Sequence, residues 1–312
     1  MKIVTVGSDP EFFVLDRKGN PYPATPFAVG TKEKPETIPG LPDGFFEQRD
    51  NLSFEGNIPP ATNKEEFIKN VTLLREYFVS KVAKFGCSIS PNGVERFPKR
   101  MLLTPEGSEF GCSSVISSWD SNNGIRVNRP TPTLSGVDYR VSGFHLHIGI
   151  KKEDSDPRIS WDILIGRLFD IFLTIPSHKI KDEPERIKTY GKYGMIRTKI
   201  YGVECRTLST FFTQREWLPW VWDQLMKIEA FIAMCSKNDL FKIIKIGYFV
   251  DDYFDIMKTL SDIFIEFDNK EILNQFDETK IIDITTKKPT SNKYGFYNSS
   301  SSYTWTTTSA SW

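Results

Sequence analysis

The sequence predicts an α+β fold in which helices pack on one face of a β-sheet and polar side chains line the other face. Four segments alternate apolar and polar residues, as strands with two different faces do. An amphipathic helix pattern follows one of these strands, and the pattern beyond Gln214 becomes helical. The 312 residues suit either two domains or one large α+β domain.

The N-terminal region is expected to begin with a hairpin. Residues Lys2–Val6 and Glu11–Leu15 have the composition of strands, and a Gly-Asn pair after them suits a tight turn. The segment 22–50 is rich in Pro and Gly, so we expect a long loop or flap over an active site. A strand over Asn51–Asn57 follows.

The clearest helix signal in the chain comes next. Asn63 is a predicted N-cap with Glu66 three residues later, and Gly86 is a stop signal. The apolar residues between them recur at helical spacing: Phe67, Val71, Leu74, Phe78 and Val82. This helix is expected to pack on the back of the sheet.

The second half alternates strands and helices irregularly. We expect a strand over Tyr139–Ile150, a buried helix that ends near Pro176, and a strand over Lys199–Ser209. An apolar stripe from Trp217 onward predicts further helices. The predicted organisation has three parts: a main domain over 1–215, a helical appendage over 216–270, and a flexible Ser/Thr-rich tail over 271–312.

Composition narrows the possible partners and compartments. Forty basic and forty acidic residues leave no formal net charge, which argues against a nucleic acid partner. The most apolar stretch, Ile159–Ile175, is short and contains charges, so no membrane partner is expected. Four scattered cysteines and the absence of a recognisable targeting segment favour the cytoplasm.

Two of the three histidines lie on one predicted strand. In Gly143-Phe-His-Leu-His-Ile-Gly-Ile, the period of two places His145 and His147 on one face and apolar side chains on the other. Such a polar face suits a bound ligand. The alternative is a half-exposed strand with incidental histidines.

Carboxylates recur with the same period on the other predicted strands. Asp9 and Glu11 lie two residues apart, Glu55 shares a face with its polar neighbours, and Glu204 shares one with Arg206. Several carboxylates on one sheet face are costly unless cations neutralise them, which points to a metal site. The excess of oxygen ligands favours Mg²⁺ or Mn²⁺ over Zn²⁺.

A basic, glycine-containing segment precedes the last acidic strand. It carries Lys192, Arg197 and Lys199 and leads to Arg206, a combination that suits phosphate oxygens. A basic surface hairpin is the alternative. The sequence has no phosphate loop, dinucleotide fingerprint or nucleophile elbow, so the common nucleotide-binding and serine hydrolase motifs are excluded.

Four motifs in order resemble a known enzyme family. They are Gly-x-Asp-Pro-Glu, Glu-x-Asn, Gly-Phe-His-Leu-His and Arg-x-Lys-x-Tyr-Gly-Val-Glu-x-Arg-Thr-Leu-Ser. Together they resemble the phage and bacterial carboxylate–amine ligases (amidoligases, COOH-NH2 ligase type 2) of the glutamine synthetase and glutamate–cysteine ligase superfamily. The resemblance covers roughly residues 1–215 and implies a curved, mainly antiparallel sheet of glutamine-synthetase-like type. It also implies use of ATP and a divalent metal.

The resemblance also implies roles for individual residues. The implied metal ligands are Glu11, Glu55, one or both of His145 and His147, and Glu204. Arg206 resembles the cation that meets the transferring phosphoryl group, and Arg197 and Lys199 resemble nucleotide or acyl-phosphate contacts. Asp9, Glu109 and Asp120 are candidates for the base that deprotonates the amine. The motif after Glu109 departs from the family pattern, because Ser113, Ser114 and Val115 stand where acidic and aromatic residues are usual.

The predicted activity is ATP-dependent formation of an amide or peptide bond through an acyl phosphate. The substrates would be a small-molecule or peptide carboxylate and an amine, in the host cytoplasm if the chain is phage-encoded. Two alternatives stay open: a metal-dependent hydrolase, and a non-enzymatic phage structural or binding protein that keeps the fold. The sequence does not indicate an oligomeric state.

Overall fold

The computed structural model describes residues 1–108, 115–119, 128–129, 136–152 and 158–245. In the first part of the chain the strands are β1 Lys2–Phe12, β2 Val14–Leu15, β3 Pro21–Tyr22, β4 Glu36–Thr37, β5 Phe46–Asp50, β6 Ser53–Ala61, β7 Ser88–Ile89 and β8 Val94–Arg96. The later strands are β9 Val115–Ser117, β10 Asn128–Arg129, β11 Tyr139–Val141, β12 Phe144–Lys151, β13 Met195–Lys199 and β14 Gly202–Cys205. The α-helices are α1 Lys64–Ala83, α2 Lys99–Leu102, α3 Pro105–Ser108, α4 Trp161–Phe169, α5 Ile175–Ile180, α6 Pro184–Thr189, α7 Leu218–Met234 and α8 Lys237–Lys245.

A nine-stranded antiparallel sheet forms the centre of the described structure. Its strand order is β10-β9-β13-β14-β12-β1-β6-β5-β4. Two small sheets, β11-β8 and β3-β2-β7, lie outside it. The predicted α+β class with a large, antiparallel sheet is confirmed.

One face of the sheet is covered by helices. Gly56 on β6 lies so close to α1 that an added Cβ would come within 2.8 Å of Leu74 and Phe78. Phe54, on the same strand, stacks on Phe78 with ring centroids 4.7 Å apart. The apolar residues of β12, including Phe144 and Leu146, are fully buried. The predicted alternation of an apolar helix-covered face and a polar face is therefore present in the central strands.

The N-terminal strands differ from the prediction in two ways. Lys2–Phe12 forms one continuous strand, where the sequence predicted a first strand over Lys2–Val6 and a second that begins at Glu11. The segment 22–50, predicted as a loop, contributes β4 and β5 to the main sheet, with Gln48 opposite Glu55. The sequence of β5, Phe-Glu-Gln-Arg-Asp, lacks an alternating pattern because its buried acids pair with lysines instead of packing in an apolar layer.

Helix α1 agrees with its predicted start and end. Asn63 caps it, since its side-chain oxygen accepts a hydrogen bond from the backbone N–H of Glu66. Gly86 follows the helix with a φ of +74°, the left-handed conformation common after helix ends. The Glu66 carboxylate accepts from the N–H of Thr62, so it satisfies a backbone group just before the cap.

The predicted end of the buried helix at Pro176 is wrong. Helix α4 passes through a π-helical segment, Asp170–Thr174, and continues as α5 beyond the proline. In the π segment the N–H of Ile175 donates to the carbonyl of Asp170, five residues back. This wider turn accommodates a proline ring that would clash in a regular helix.

The C-terminal strand and helices follow the prediction in part. The strand expected over Lys199–Ser209 is shorter, and its first residues form a hairpin between β13 and β14. Helix α7 begins at Leu218, next to the predicted stripe, and packs against α1 and α4. No helix among the described residues is long and apolar enough to cross a bilayer. Residues 246–312 lie outside the described residues, so the predicted division into domain, appendage and tail stays a prediction.

Candidate active site

Two groups of side chains that could hold a metal ion lie side by side on the polar face of the sheet. The first group is Asp9, His145 and Glu204, and the second is Glu11, Asp50 and Glu55. Within each group the potential ligand atoms lie within 4.8 Å of one another. The groups are neighbours because Asp9 and Glu11 are two residues apart on β1.

The register of the central strands explains how these residues meet. Asp9 lies opposite His145, while Glu11 lies opposite Glu55 on the other side of β1. Glu204 on β14 lies opposite His147. Residues from four adjacent strands, β14, β12, β1 and β6, are thus brought to one surface, as the period-two patterns predicted.

His145 lies between the two groups. Its Nδ1 is 3.4 Å from Asp9 Oδ1, and its Nε2 is 3.7 Å from Glu11 Oε1. Neither ring nitrogen has a hydrogen-bond partner among the described residues. Burial and the nearby charge of Arg206 lower the pKa of His145 to about 3. The ring is therefore neutral and available as a ligand.

Gly143 makes room for this histidine. A Cβ at position 143 would come 2.4 Å from His145 Nε2, so any larger residue would displace the ring. The N–H of Gly143 also donates to Glu11 Oε2 at 2.7 Å. The glycine of the Gly-Phe-His-Leu-His motif therefore orients His145 on β12 and Glu11 on the neighbouring strand β1.

Glu204 is surrounded by three of the four cations that were predicted to bind phosphate. Its Oε1 is in contact with Arg206 Nη1 and lies 3.3 Å from Arg197 Nη1. Lys199 Nζ is 2.8 Å from Oε2. The carboxylate is fully buried, and the three cations together exceed its charge. Lys192 lies in the loop before β13, and the ion pairs described for Glu204 do not include it.

Tyr190 is a site residue that the sequence patterns did not identify. Its hydroxyl accepts a hydrogen bond from Arg206 Nε, and the guanidinium lies 5.1 Å from the centre of its ring. The same ring meets His145 edge-on, with centroids 5.9 Å apart. Tyr190 was hidden because it lies in an irregular loop and not on an alternating strand.

His147 is placed beside the two groups. Its Nε2 is 3.0 Å from Asp9 Oδ1, and its Nδ1 is 2.6 Å from the hydroxyl of Tyr201, whose ring stacks on it. Burial acts to lower the pKa of His147, but the carboxylates of Asp9 and Glu204 raise it above its usual value. These contacts suit a residue that orients Asp9.

Asp9 is ionised in this arrangement. Burial acts to raise its pKa, but the neighbouring imidazole of His147 holds that pKa well below its usual value. A carboxylate with a depressed pKa is a weak base, so this environment favours Asp9 as a ligand over Asp9 as the general base. The other two candidate bases, Glu109 and Asp120, lie outside the described residues.

The second group is crowded with negative charge. Burial and the neighbouring carboxylates of Asp50 and Glu55 raise the pKa of Glu11 well above its usual value. Burial, Asp50 and Asp9 raise the pKa of Glu55 to about 8. Such shifts are expected where several acids share a site without enough positive charge.

Lys32 partly offsets this charge. Its ammonium group is 2.9 Å from Asp50 Oδ1 and 3.8 Å from Glu55 Oε2, and about a third of its side chain is exposed. Neither Lys32 nor Asp50 was identified from the sequence, because both belong to the segment predicted as a loop. Asp50 ends β5 directly before Asn51, whose φ of +54° marks the tight turn into β6.

The donor set fits hard divalent cations. Five of the six side chains offer carboxylate oxygens, and one offers a neutral imidazole, a combination that suits Mg²⁺ or Mn²⁺. Buried oxygens of Asp9, Asp50 and Glu204 accept no aligned hydrogen bond. Those of Asp50 and Glu204 face Lys32 and Lys199, so a metal ion would take the place of an ammonium group there.

Comparisons with known proteins give little further guidance. No protein-family profile matches the chain, and no curated protein sequence matches it. Among solved structures, the bifunctional glutathione synthetase from Pasteurella multocida is similar over 91% of this chain, with 10% sequence identity and a TM-score of 0.37. The chain spans 46% of the length of that structure. The functional assignment therefore rests on the site itself.

Proposed function

We propose that this chain is an ATP-dependent carboxylate–amine ligase that forms an amide or peptide bond through an acyl phosphate. The observation that carries this proposal is that two clusters of potential metal ligands and three cations, of which Arg206 is buried, lie on one sheet face. Phosphoryl transfer requires metal ligands and anion-binding side chains within one site. The order of the sequence motifs, similar to that of the carboxylate–amine ligases, supports the same assignment.

The two acidic groups are the proposed metal-binding residues. Asp9, His145 and Glu204 would hold one Mg²⁺ or Mn²⁺, and Glu11, Asp50 and Glu55 a second. A bound divalent cation would neutralise charge on the phosphate oxygens of ATP. The near-complete burial of these side chains keeps water from competing for the cation.

Arg206, Arg197 and Lys199 are proposed to bind phosphate oxygens. All three contact Glu204, and the Glu204 carboxylate therefore holds them close to one another. Arg206 is nearly fully buried, and its contacts with Glu204 and Tyr190 fix the plane of its guanidinium. A guanidinium held in a fixed plane can stabilise the negative charge that develops on a transferring phosphoryl group, because it needs little rearrangement to do so.

The substrates are proposed to be a small-molecule or peptide carboxylate and an amine, in the cytoplasm. Phosphorylation makes the carboxylate electrophilic, and a base must then remove a proton from the amine. We also propose that the sheet is of the glutamine-synthetase-like type. Its antiparallel strand order and its polar face support this part of the proposal.

Calorimetric titration with a non-hydrolysable ATP analogue tests the proposal. We expect binding in Mg²⁺ that EDTA abolishes, and loss of that binding in Glu204→Gln and Glu55→Gln, because each variant replaces a carboxylate ligand with a neutral amide. Glu36→Gln changes an exposed glutamate of β4 and serves as the control. Unchanged analogue affinity in both site variants would overturn the assignment.

A metal-dependent hydrolase is the second candidate. The contact between His147 and Asp9 favours it, since an imidazole beside a ligating carboxylate can accept a proton from metal-activated water. Metal binding by calorimetry without any nucleotide binding would select this alternative over the ligase.

A further inference from the structure

A cavity of about 460 Å³ lies between helix α1 and the segment that follows β14. Its lining residues are Thr72, Arg75, Glu76, Val79, Ser80, Thr213, Gln214, Arg215 and Glu216. The volume is in the range of small-ligand sites. None of these residues belongs to either acidic group, so the cavity is separate from the candidate active site.

Arg75 is the half-buried cation of this cavity. Its guanidinium lies 5.9 Å from the ring centre of Phe12, and Nη1 donates to Thr213 Oγ1 at 3.3 Å. Among the described residues, no carboxylate oxygen lies within ion-pair distance of it. Glu216 acts on this guanidinium only from beyond ion-pair distance. A partly desolvated guanidinium without a directly bound carboxylate favours a bound anion.

Other polar side chains near Arg75 could also bind a ligand. The hydroxyl oxygen of Thr72, one helical turn before it, is buried without a hydrogen-bond partner in the described structure. The mouth of the cavity carries exposed side chains of both charges, among them Glu76, Arg215 and Glu216. The two glutamates disfavour a ligand with several negative charges and favour one that also carries a positive group.

We propose that this cavity binds a small zwitterion of the amino-acid or dipeptide type. The ligand carboxylate pairs with Arg75, and its ammonium group faces Glu76 and Glu216. This site is independent of the metal and of ATP, because none of its residues contributes to the acidic groups.

The cavity wall also touches the strands of the candidate active site. Thr213 Oγ1 donates to the carbonyl of Thr210, one turn earlier in a 3₁₀ segment. Thr210 Oγ1 in turn donates to the carbonyls of Glu11 and Gly143. A ligand on Arg75 therefore sits one short hydrogen-bonded turn from the backbone that carries Glu11.

Saturation-transfer NMR on the full chain, in EDTA and without nucleotide, tests the proposal. Glycylglycine is the zwitterionic probe and acetate the carboxylate probe. We expect saturation transfer to glycylglycine in the unmodified chain and at least a tenfold weaker affinity in Arg75→Met, which keeps an unbranched side chain over Phe12. Arg100→Met, at an exposed arginine of α2, should leave the affinity unchanged.

The exposed rim supplies a second test that does not risk the fold. Glu76→Gln with Glu216→Gln should weaken glycylglycine binding severalfold and leave acetate binding unchanged. Equal transfer in Arg75→Met, or no transfer to glycylglycine in the unmodified chain, would overturn the proposal. If the rim variant lost affinity for glycylglycine and for acetate to the same extent, the glutamates would not recognise an ammonium group and the zwitterion proposal would be wrong. Because metal and nucleotide are absent, these outcomes are separate from those that test the ligase assignment.

Discussion

The ammonium group of Lys32 stands where a metal ion would neutralise the Glu11, Asp50 and Glu55 group. It contacts Asp50 and approaches Glu55, yet it comes from a turn outside the site, between Thr31 and Lys34. A lysine in such a position stabilises clustered carboxylates when no divalent cation is present. It also competes with such a cation.

Lys32→Met is therefore expected to raise the affinity for Mn²⁺ severalfold, because it removes the competing charge. Calorimetric titration with Mn²⁺ in the absence of nucleotide measures the change. Lys34→Met is a matched control, since Lys34 lies on the same turn, is largely exposed and pairs only distantly with Glu36. A lower Mn²⁺ affinity in Lys32→Met would mean that Lys32 assists the cation.

Arg206 is expected to contribute more to turnover than to nucleotide binding. Lysine has no planar fork, so Arg206→Lys cannot reproduce the fixed contacts of Nη1 with Glu204 and of Nε with Tyr190. We expect turnover to fall by about a hundredfold while nucleotide affinity changes only a few fold. ADP release and calorimetry together measure both quantities. Arg96→Lys, at an exposed ion pair, is the control, and full turnover in Arg206→Lys would remove Arg206 from the phosphoryl site.

Much of the site was predictable from residue alternation, and its grouping was not. The period of two correctly assigned Asp9, Glu11, Glu55, His145 and Glu204 to one face. Which of them share a group depends on strand order and register, and these are set by tertiary pairing. Asp50 lies on a strand without alternation, Lys32 in a turn and Tyr190 in a loop. None of these segments has a periodic signal, so the three residues were not predicted.

Among the structural elements, the π segment within the long buried helix anchors the loop that carries Tyr190. Asp170 accepts hydrogen bonds from Trp119 Nε1 and from the backbone N–H of Gly194. It thereby ties the helix to the loop over residues 190–194. Burial raises the pKa of Asp170 to about 7, against the lowering effect of these hydrogen bonds.

This raised pKa predicts a pH-dependent stability. Between about pH 4 and pH 7 the unfolded chain has lost the Asp170 proton while the folded chain retains it, so the free energy of unfolding falls as pH rises. Asp170→Asn should lack this decline, which is on the order of a few kcal/mol. Urea unfolding across this pH range measures the difference from the unmodified chain. Asp43→Asn, at an exposed position, is the control, and parallel pH profiles for Asp170→Asn and the unmodified chain would contradict the prediction.

Elements with strong local signals were predicted well. The N-cap, apolar spacing and stop of α1 lie within about twenty residues, so local sequence defines it. The predictions for β5 and for the helix through Pro176 were wrong. The buried acids of β5 pair with Lys81 of α1 and Lys32 of the Thr31–Lys34 turn, and a π-helical turn accommodates the proline. Neither arrangement has a signal within its own segment.

On the scale of the whole molecule, the sheet concentrates buried carboxylates whose charges repel one another. Binding of Mn²⁺ or Mg²⁺ to the folded state should therefore raise the melting temperature by several degrees, and EDTA should reverse the rise. Differential scanning fluorimetry measures the shift. In Glu55→Gln the metal-free protein should melt at a higher temperature and respond less to metal. A metal-independent melting temperature in the unmodified chain would contradict the presence of these cation sites.

The division of each central strand into a ligand face and a helix-covered face restricts how this protein can change over evolution. Deleting Phe144, at the start of β12, would turn His145 toward the helices and Leu146 toward the ligands, and it would reverse each later residue of the strand in the same way. A substitution in such a strand alters one side chain, whereas a change in length alters the facing of many side chains at once. Insertions and deletions in natural relatives should therefore be confined to the connections between strands.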